Sequence, residues 1–407
     1  MNLSWRGVAL LQVITNTAMF ATEGHIVAFA PLQLRELGLD DSAVGVWTGI
    51  LVGVTMATAL PLGPFWGILA ERFSRRSVML RAYVILFFSL LVASWAPTLE
   101  WLIVGRAMVG LSFGVGGVIM AIQAMVTPAP HVGRAVALVQ AALPIAGTIG
   151  PPFGSLIIPH AGLGGLFLVD AAIVAVAGLA LWWFLPEPTG GHKPASVMGR
   201  LGEVSRLSWS LPPVRWNFIN QFVNRAGTGT IDAYISVRIT QVAADPASAI
   251  GWILGAYGAL TAVSTWLVGR IADRSDISRI YAWGMLFGAL VCVGIVFAPW
   301  LWLVAVFAIL RAIPTALARP LLVAQLARVV PTQHQTGVFG LFPTVGNVAG
   351  LIFPLAAAGL VGSGLWIAFA IGAAGYGASF LTGIQMGRVE DRERPRAARG
   401  RASATAR

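Results

Sequence analysis

The sequence is poor in the residue types on which many enzymes and secreted domains depend. Cys292 is the only cysteine among 407 residues, which excludes a disulfide framework and a CxxC metal or redox site. Lys193 is the only lysine among 27 basic residues and lies in the segment HKP, so no phosphate-binding loop of the GxxxxGK type is present. The five histidines form no cluster. We therefore expect no metal site and no cofactor.

Charge is also scarce. Charged residues make up 11% of the chain and hydrophobic residues 57%, with a mean hydropathy of +0.79, which is far from the composition of a soluble domain. The net charge of +11 does not indicate nucleic-acid binding, because the basic residues fall in short loops between hydrophobic runs and suit anionic lipid headgroups. The composition predicts an all-α protein that crosses the membrane many times.

A helix needs about 20 apolar residues to cross the hydrocarbon core, and runs of about that length recur along the chain. We predict twelve spans, at residues 7–33, 43–66, 77–96, 99–127, 133–158, 163–185, 214–240, 248–271, 278–297, 299–329, 335–361 and 363–387. The one long polar interruption is rich in Pro, Gly and Ser. It divides the chain into an N-terminal six-helix bundle (1–186), a cytoplasmic linker (187–213), a C-terminal six-helix bundle (214–388) and a disordered basic tail (389–407).

Arginine is distributed unequally between the two sides of the predicted spans. The opposite loops carry only Arg35 and Arg238, beside five acidic residues. The loops on the side of the N-terminus carry Arg72, Arg75, Arg76, Arg134, Arg200, Arg206, Arg274, Arg279 and the basic tail. Since basic loops stay in the cytoplasm, we predict a multi-pass cell membrane protein with both termini cytoplasmic.

The two halves resemble each other in sequence. The segment NTAMFATEG at 16–24 aligns with NRAGTGTID at 224–232, an offset of 208 residues, and GILAER at 67–72 aligns with GRIADR at 269–274, an offset of 202. An internal repeat of about 200 residues, with six spans in each copy, is typical of transporters whose site lies between the halves.

The loop GILAERFSRR at 67–76 resembles the cytoplasmic signature of the major facilitator superfamily, G-x-L-A-[DE]-R-x-G-R-[KR], with Glu71 and Ser74 where the family usually has Asp and Gly. This resemblance implies a major facilitator fold of twelve helices in two pseudo-symmetric bundles that rock around a central site. It also implies conformational roles for the matching residues and their second copy, which are Gly67, Glu71, Arg72, Arg75, Gly269, Asp273 and Arg274.

Two further motifs resemble signatures of this superfamily. The segment GTIGPPFG places Gly150, Pro151 and Gly154 on the G-P-x-x-G pattern that marks drug:proton antiporters, although a plain helix kink would use the same residues. Arg106 matches an R-x-x-x-G signature in the fourth span, where an arginine is thought to aid proton transfer. The alternative for Arg106 is a structural one, a buried arginine bonded to backbone carbonyls between helices.

The seventh span is the most polar. Gln221, Arg225, Thr228 and Asp232 recur at helical spacing, and Asn217 and Asn224 border the same stripe, so this face is expected to line a watery cavity or another polar helix. Arg225 and Asp232 lie about 10 Å apart along a helix axis, so we expect a water or a residue of another helix between them.

The first span carries three polar side chains near its middle. Asn16 and Glu23 are seven residues apart and share a face, whereas His25 points about 200° away from Glu23 on a regular helix. We expect His25 to be a hydrogen-bonded packing residue, and we expect the isolated Asp170 to lie near the outer interface or in a packing contact. Glu23, near the midplane, is the more informative position.

These patterns predict a proton-coupled exporter of small amphipathic compounds that works by alternating access, not an enzyme. A desolvated carboxyl group can bind and release a proton as the cavity opens to either side. We expect Glu23 to be the leading proton carrier and Asp232 the second, with Arg106 and Arg225 tuning their charge. The expected cavity residues are Asn16, Gln221, Asn224, Arg225 and Thr228. The expected partners are a small-molecule substrate, protons and the bilayer, with no nucleic acid and with the chain acting as a monomer.

Two alternatives remain open at this point. A proton-coupled importer of a sugar or organic anion could use Arg225, Arg311 and Arg319. An integral membrane enzyme or a lipid scramblase is a different class of function, and the sequence has no HExxH or paired-Asp motif to support an enzyme.

Overall fold

The computed structural model describes residues 3–62, 66, 74–186, 209–271, 276–330 and 332–405. Within these ranges, the side chains of residues 271, 332–337, 340 and 390–405 lie outside the description. The described residues form helices joined by short turns, without a strand. The fold class predicted from the sequence, an all-α membrane protein, is confirmed.

Eight α-helices can be followed in the described residues of the first half, with a bend inside the last. They are α1 (Trp5–Ala28), α2 (Ala30–Glu36), α3 (Asp41–Ala59), α4 (Arg75–Trp95), α5 (Leu99–Ser112), α6 (Gly116–Val126), α7 (Val132–Gln140) and, with that bend, the long α8 (Ala142–Phe184). The second half contains α9 (Pro212–Val242), α10 (Pro246–Ile271), α11 (Ile277–Phe297), α12 (Leu301–Leu310), α13 (Ala312–Val329), α14 (Thr332–Val361) and α15 (Trp366–Thr405).

Nine stretches of the described residues are long and apolar enough to cross a membrane. One of them, Ala129–Phe184, has 56 residues and holds two of the predicted spans, because α8 bends at Gly162 (φ 69°, ψ 178°). The two predicted spans that are missing from the nine correspond to α1 and α9, the first helix of each half. Their polar side chains lower the hydropathy of these helices, so α1 and α9 depend on partners inside the protein.

The fourth span is broken in both halves. In the first half, α5 ends at Ser112 and α6 begins at Gly116, with Gly114 at φ 92°, a conformation that glycine adopts without strain. In the second half, α12 ends at Leu310 and α13 begins at Ala312, so the break falls at Arg311. Both breaks lie beside the first helix of their half.

We call the end of the molecule where α1 ends and α3 begins the far side. On this side Arg35, after α1, donates to the carbonyl oxygen of Thr240 at the end of α9, with an Nη1 to O distance of 3.1 Å. Ser42, at the start of α3, lies beside Gly362, after α14, because a Cβ at Gly362 would be 3.8 Å from the Ser42 hydroxyl. The far side therefore joins the two halves.

Glycines make two close contacts between the halves. Gly49 of α3 lies against the Tyr234 hydroxyl and the carbonyl oxygen of Pro354 in α14, where a Cβ would come within 2.7 Å of that oxygen. Gly251 of α10 lies against α8 in the same way, with the Pro151 carbonyl oxygen 2.8 Å from its Cβ position. Gly49 and Gly251 are 202 residues apart, the offset of the loop repeat, so the repeat extends to the contacts that close the far side.

The contact between α8 and α10 continues to the middle of α10 and to the first turns of α8. Gly255 packs on Pro152, and Gly258 lies directly on the backbone of Gly147. Toward the side of the N-terminus the described bonds join helices of one half, as when the Gln123 side chain donates to the Trp5 carbonyl at 3.2 Å. The structure is therefore closed on the far side.

Part of the predicted organisation falls outside the described residues. Residues 187–208 of the linker are not described, and the domain boundaries stay a prediction. The helix α15 continues to Thr405, through the segment whose composition predicts disorder. Disorder of this tail in solution also stays a prediction.

We predict that Gly258→Val opens the far side, because the new side chain would occupy the place of the Gly147 backbone. Closure can be measured as the rate of disulfide formation between Ser42→Cys and Gly362→Cys in a Cys292→Ser background. Cross-linking should be fast in the parent and lost in Gly258→Val. The control is Gly359→Val, where a Cβ meets nothing within 4 Å; equal cross-linking in all three would contradict the prediction.

Candidate transport site

Glu23 lies on α1 and faces the broken fourth span of its own half. Its carboxylate accepts a long hydrogen bond from the hydroxyl of Ser112, the last residue of α5, with an oxygen to oxygen distance of 3.5 Å. In the described part of the chain no Arg, Lys or His side chain lies within 4 Å of this carboxylate. Glu23 is thus an acid in a membrane-spanning helix with one weak polar partner.

Arg106 is buried on α5 and does not pair with Glu23. Its guanidinium donates to the backbone carbonyl oxygen of Ile26, three residues further along α1. Thr55 of α3 in turn donates to the carbonyl oxygen of Arg106 at 3.2 Å, which ties α1, α3 and α5 together. This geometry favours the interhelical role that the sequence left open for Arg106, and its role in proton transfer stays a prediction.

Asn16 is buried within the first half. Its side-chain oxygen accepts a hydrogen bond of 3.1 Å from the Tyr83 hydroxyl of α4, and 1% of the residue is exposed. Asn16 and Glu23 therefore do share the face of α1 that the spacing predicts, but this face looks into the N-terminal helices at Asn16. We do not include Asn16 in the proposed cavity.

Asp232 of α9 forms an ion pair with Arg311, the residue at the break between α12 and α13. The guanidinium carbon of Arg311 also lies 4.2 Å from the centre of the Tyr257 ring of α10, a cation–π contact. Arg311 is 1% exposed, whereas the Asp232 side chain is 41% exposed in the middle of a membrane helix. An ionised carboxylate cannot face lipid at that depth, so this exposure indicates a water-accessible space between the halves.

The two halves therefore place an acid in the same way. Glu23 and Asp232 lie on the first helix of their half, and each faces the break in the fourth span, at Ser112 and at Arg311. The partners differ, because Glu23 is bonded to a hydroxyl group and Asp232 to a guanidinium group. Asp232 therefore has a counter-ion, whereas Glu23 has none among the described residues.

The polar residues of α9 divide between two faces. Asn217 donates to Gln325 of α13 at 2.7 Å, and Asn224 donates to the sulfur of Met285 in α11 at 2.9 Å, so both are buried inside the second half. Thr228 is buried and donates to the Asn224 carbonyl oxygen at 3.2 Å. Asn224 and Thr228, which the sequence placed in the cavity, are therefore occupied by bonds within their half.

The other face of α9 points toward α14. The Gln221 amide lies 2.6 Å from the Cβ position of Gly346, and the Arg225 guanidinium lies 3.5 Å from that of Gly350. Glycine at 346 and 350 makes room for these two side chains. Gln221 and Arg225 are the expected cavity residues of α9 whose side chains are partly exposed.

The sequence model of the Major Facilitator Superfamily matches residues 11–241 and again residues 217–406. The chain belongs to the Major Facilitator Superfamily. As a member it is a multi-pass membrane transporter of small molecules and not an enzyme.

Curated relatives and solved structures agree with this membership. The "Multi-drug resistance efflux pump PmrA homolog" of Lactococcus lactis is 22% identical over 340 residues, which are 83% of this chain and 84% of that protein. The "Multidrug resistance protein MdtG" of Salmonella typhimurium is 24% identical over 341 residues, 80% of this chain and 82% of that protein.

The solved structures show the same fold at lower identity. A bacterial homologue of the human lysosomal transporter Spinster, inward-facing and occupied, has a TM-score of 0.74 and 15% identity, over 96% of this chain and 97% of that one. The human organic anion transporter MFSD10 has a TM-score of 0.68 and 16% identity, over 95% of this chain and 100% of that one.

The superfamily motif in the fifth span faces α1. A Cβ at Gly150 would lie 3.1 Å from that of Ala21, and a Cβ at Gly154 would lie 3.1 Å from the His25 ring and 2.6 Å from Phe29. Pro151 is buried beside them. These glycines let α1 and α8 approach closely, which the kink reading of the motif also predicts.

The superfamily loop motif is only partly described. Gly67, Glu71, Arg72, Asp273 and Arg274 lie outside the described residues. Arg75 begins α4, and Gly269 lies near the end of α10 with nothing within 4 Å of its Cβ position. Their conformational roles stay predictions.

Three partnerships were missed by the sequence reasoning. Arg311 is the partner of Asp232, His25 is the partner of Asp170, and Tyr83 is the partner of Asn16. The sequence did contain one usable signal: an isolated cation and an isolated acid in different spans each need a counter-ion inside the membrane. His25 is the hydrogen-bonded packing residue that we expected, and Asp170 is in a packing contact.

We predict that Asp232→Asn lowers the free energy of unfolding by about 1.5 to 3 kcal/mol, because it leaves Arg311 buried without a counter-ion. The double variant Asp232→Asn/Arg311→Gln should lose less than the sum of its two single variants. Chemical denaturation in detergent measures these differences.

The exposed pair Arg35 and Asp41 is the matched control. Its nitrogen to oxygen distance is 2.7 Å, but the two side chains are 31% and 62% exposed. Asp41→Asn should cost less than about 1 kcal/mol. Equal losses for Asp41→Asn and Asp232→Asn would show that burial does not decide the strength of the inner pair.

Proposed function

We propose that this transporter is a proton-coupled exporter of small amphipathic or cationic compounds. Glu23 is the proton carrier, and the Asp232–Arg311 pair is the second charged element of the central site. The exporter alternates between the far-side-closed state and a state closed at the other end. It works as a monomer with both termini in the cytoplasm.

The observation that carries this proposal is the environment of Glu23. Burying a carboxylate in a membrane-spanning helix without a counter-ion costs free energy, and binding of a proton removes this cost because it neutralises the charge. Ser112 provides one hydrogen bond of 3.5 Å, which holds the side chain without fixing its charge. Whenever the site opens to water on one side, a proton and a cationic substrate then compete for the Glu23 carboxylate.

Asp232 is a weaker candidate for the proton carrier. Its ion pair with Arg311 keeps the carboxylate charged, and the cation–π contact with Tyr257 keeps Arg311 in place. Its exposed oxygen atoms remain available to a cationic group of the substrate. We therefore assign Asp232 to the binding of substrate, next to Gln221 and Arg225.

The direction of transport is supported by similarity. The relatives named above are described as multidrug efflux or resistance proteins, and the G-P-x-x-G residues Gly150, Pro151 and Gly154 are present in α8. Antiport also fits a single acidic carrier, because a proton and a cation compete for one carboxylate. An importer of an organic anion would instead bind substrate and proton together.

We predict that Glu23→Gln abolishes proton-driven transport and leaves only a weaker, pH-independent binding of the cation at Asp232, because glutamine keeps the shape of the side chain but can neither release a proton nor pair with a cation. The measurement uses proteoliposomes with an imposed pH gradient and a fluorescent lipophilic cation, with binding measured separately. The matched control is Glu100→Gln. Glu100 is an exposed acid at the start of α5, on the far side of the molecule, and the variant should transport like the parent.

Three outcomes would contradict the proposal. Full coupling in Glu23→Gln would remove this residue from the mechanism. Uptake of a proton when the substrate binds, in place of release, would favour the importer. Movement of lipid without a gradient would point to a scramblase.

A further inference from the structure

A second ionisable pair is buried in the first half, away from the central site. His25 of α1 contacts two oxygen atoms of α8: its Nδ1 is 2.8 Å from Oδ2 of Asp170, and its Nε2 is 2.7 Å from the carbonyl oxygen of Gly150. His25 is 1% exposed and Asp170 is 0% exposed. The pair joins α1 to both arms of α8, since Gly150 precedes the bend at Gly162 and Asp170 follows it.

The partners of His25 determine where its protons are. A backbone carbonyl oxygen can only accept, so Nε2 must carry a hydrogen. The Asp170 carboxylate also accepts, so Nδ1 carries a hydrogen as well when the aspartate is ionised. The ring then donates from both nitrogens, which only the imidazolium form of histidine can do. A positive ring beside a negative carboxylate leaves the buried pair neutral.

Loss of the proton from this pair would be costly. The ring would then be neutral, and Asp170 would be an uncompensated charge inside the membrane, where its other oxygen, Oδ1, is buried without a hydrogen-bond partner in the described part of the chain. The rings of Phe29 and Phe153 flank His25, with centroids 5.9 and 6.4 Å away. In the part of the chain that the structure describes, no cation other than His25 lies within 4 Å of the Asp170 carboxylate.

The neighbouring charged groups point elsewhere. Glu23 is two residues away on α1 but faces Ser112 of α5, and Arg106 of α5 donates to the Ile26 backbone. On α8, Asp170 is the only ionisable side chain in contact with the ring. The pair is therefore separate from the proposed proton path.

The segment of α8 that His25 holds also forms a contact between the halves. Gly150 and Gly154 face His25, whereas Pro151 and Ser155 face Gly251 of α10. A shift of this segment away from α1 would change how its other face fits the glycines of α10. One turn of α8 therefore connects the His25 ring to the contact with α10 that closes the far side.

We propose that His25 and Asp170 are a permanently protonated positioning pair, in which the imidazolium holds the Gly150 carbonyl and thereby sets α8 for closure against α10. The pair keeps its proton through the transport cycle, whereas Glu23 exchanges one. His25 is a positioning residue: it acts on the far-side contact through α8 and touches neither substrate nor the transported proton.

Two amide substitutions separate the two bonds of His25. The amide nitrogen of glutamine can reach the place of Nε2 and donate to Gly150, whereas that of asparagine replaces Nδ1 and leaves Gly150 without its donor. His25→Gln leaves Asp170 charged and unpaired, and Asp170→Asn removes that charge. His25→Gln/Asp170→Asn therefore keeps the Gly150 bond in a neutral site.

The first readout is the cross-linking rate between Ser42→Cys and Gly362→Cys in a Cys292→Ser background, which needs no substrate and so does not depend on the proposed direction or coupling. We expect His25→Asn to slow it at least about tenfold, the effect of a lost hydrogen bond to a charged donor. The double variant His25→Gln/Asp170→Asn should cross-link at close to the parent rate. Should His25→Asn not fold, a folded double variant with the parent rate would still support the proposal.

The second readout is the nitrogen NMR spectrum of protein labelled at histidine, in which the signal of His25 is the one that His25→Gln removes. We expect both ring nitrogens to be protonated at neutral pH. A singly protonated ring would overturn the proposal, and so would parent-like cross-linking in His25→Asn or a double variant no better than His25→Gln. A failure of the Glu23 proposal would leave both readouts unaffected.

Discussion

An ionisable side chain inside the membrane has to find its partner within the protein, and the interior of this transporter is arranged around that constraint. Lipid cannot compensate a charge at that depth. Arg311 is paired with Asp232, Arg106 with a backbone carbonyl, and His25 with Asp170 and the Gly150 carbonyl. Each of these bonds crosses from one helix to another, so the same bonds that satisfy the charges also fix the helix positions.

Glu23 differs from these residues, and this difference suggests which group can change during a transport cycle while the pairs stay bonded. Its one described bond is to a neutral hydroxyl at 3.5 Å, so no described counter-ion holds the carboxyl group in its ionised form. A group of this kind can respond to pH and to a cationic substrate. The paired groups cannot do so without breaking a helix contact, so they belong to the framework that holds the helices in place.

Composition and the internal repeat were sufficient to predict the all-α membrane fold and the approximate spans, and the resemblance of the loop at 67–76 predicted the family. They succeed because a membrane helix has a fixed length and because both halves carry the same motifs. The partners of the polar residues could not be predicted. Asn16 and Glu23 do share a face of α1, but the spacing cannot show that Tyr83 lies opposite Asn16. The sequence likewise could not show that the polar residues of α9 divide between two faces, because Asn224 and Met285 meet only through the packing of α9 on α11.

In the proposed transport cycle, the Glu23 carboxyl group changes its protonation when substrate binds. Infrared difference spectroscopy of the protein in lipid, with and without a bound lipophilic cation, observes this group directly. The account predicts loss of a protonated carboxyl band on binding, and the absence of that change in Glu23→Gln while Asp232→Asn retains it. The same band change in Glu23→Gln would contradict the account, because the proton would then be carried by another residue.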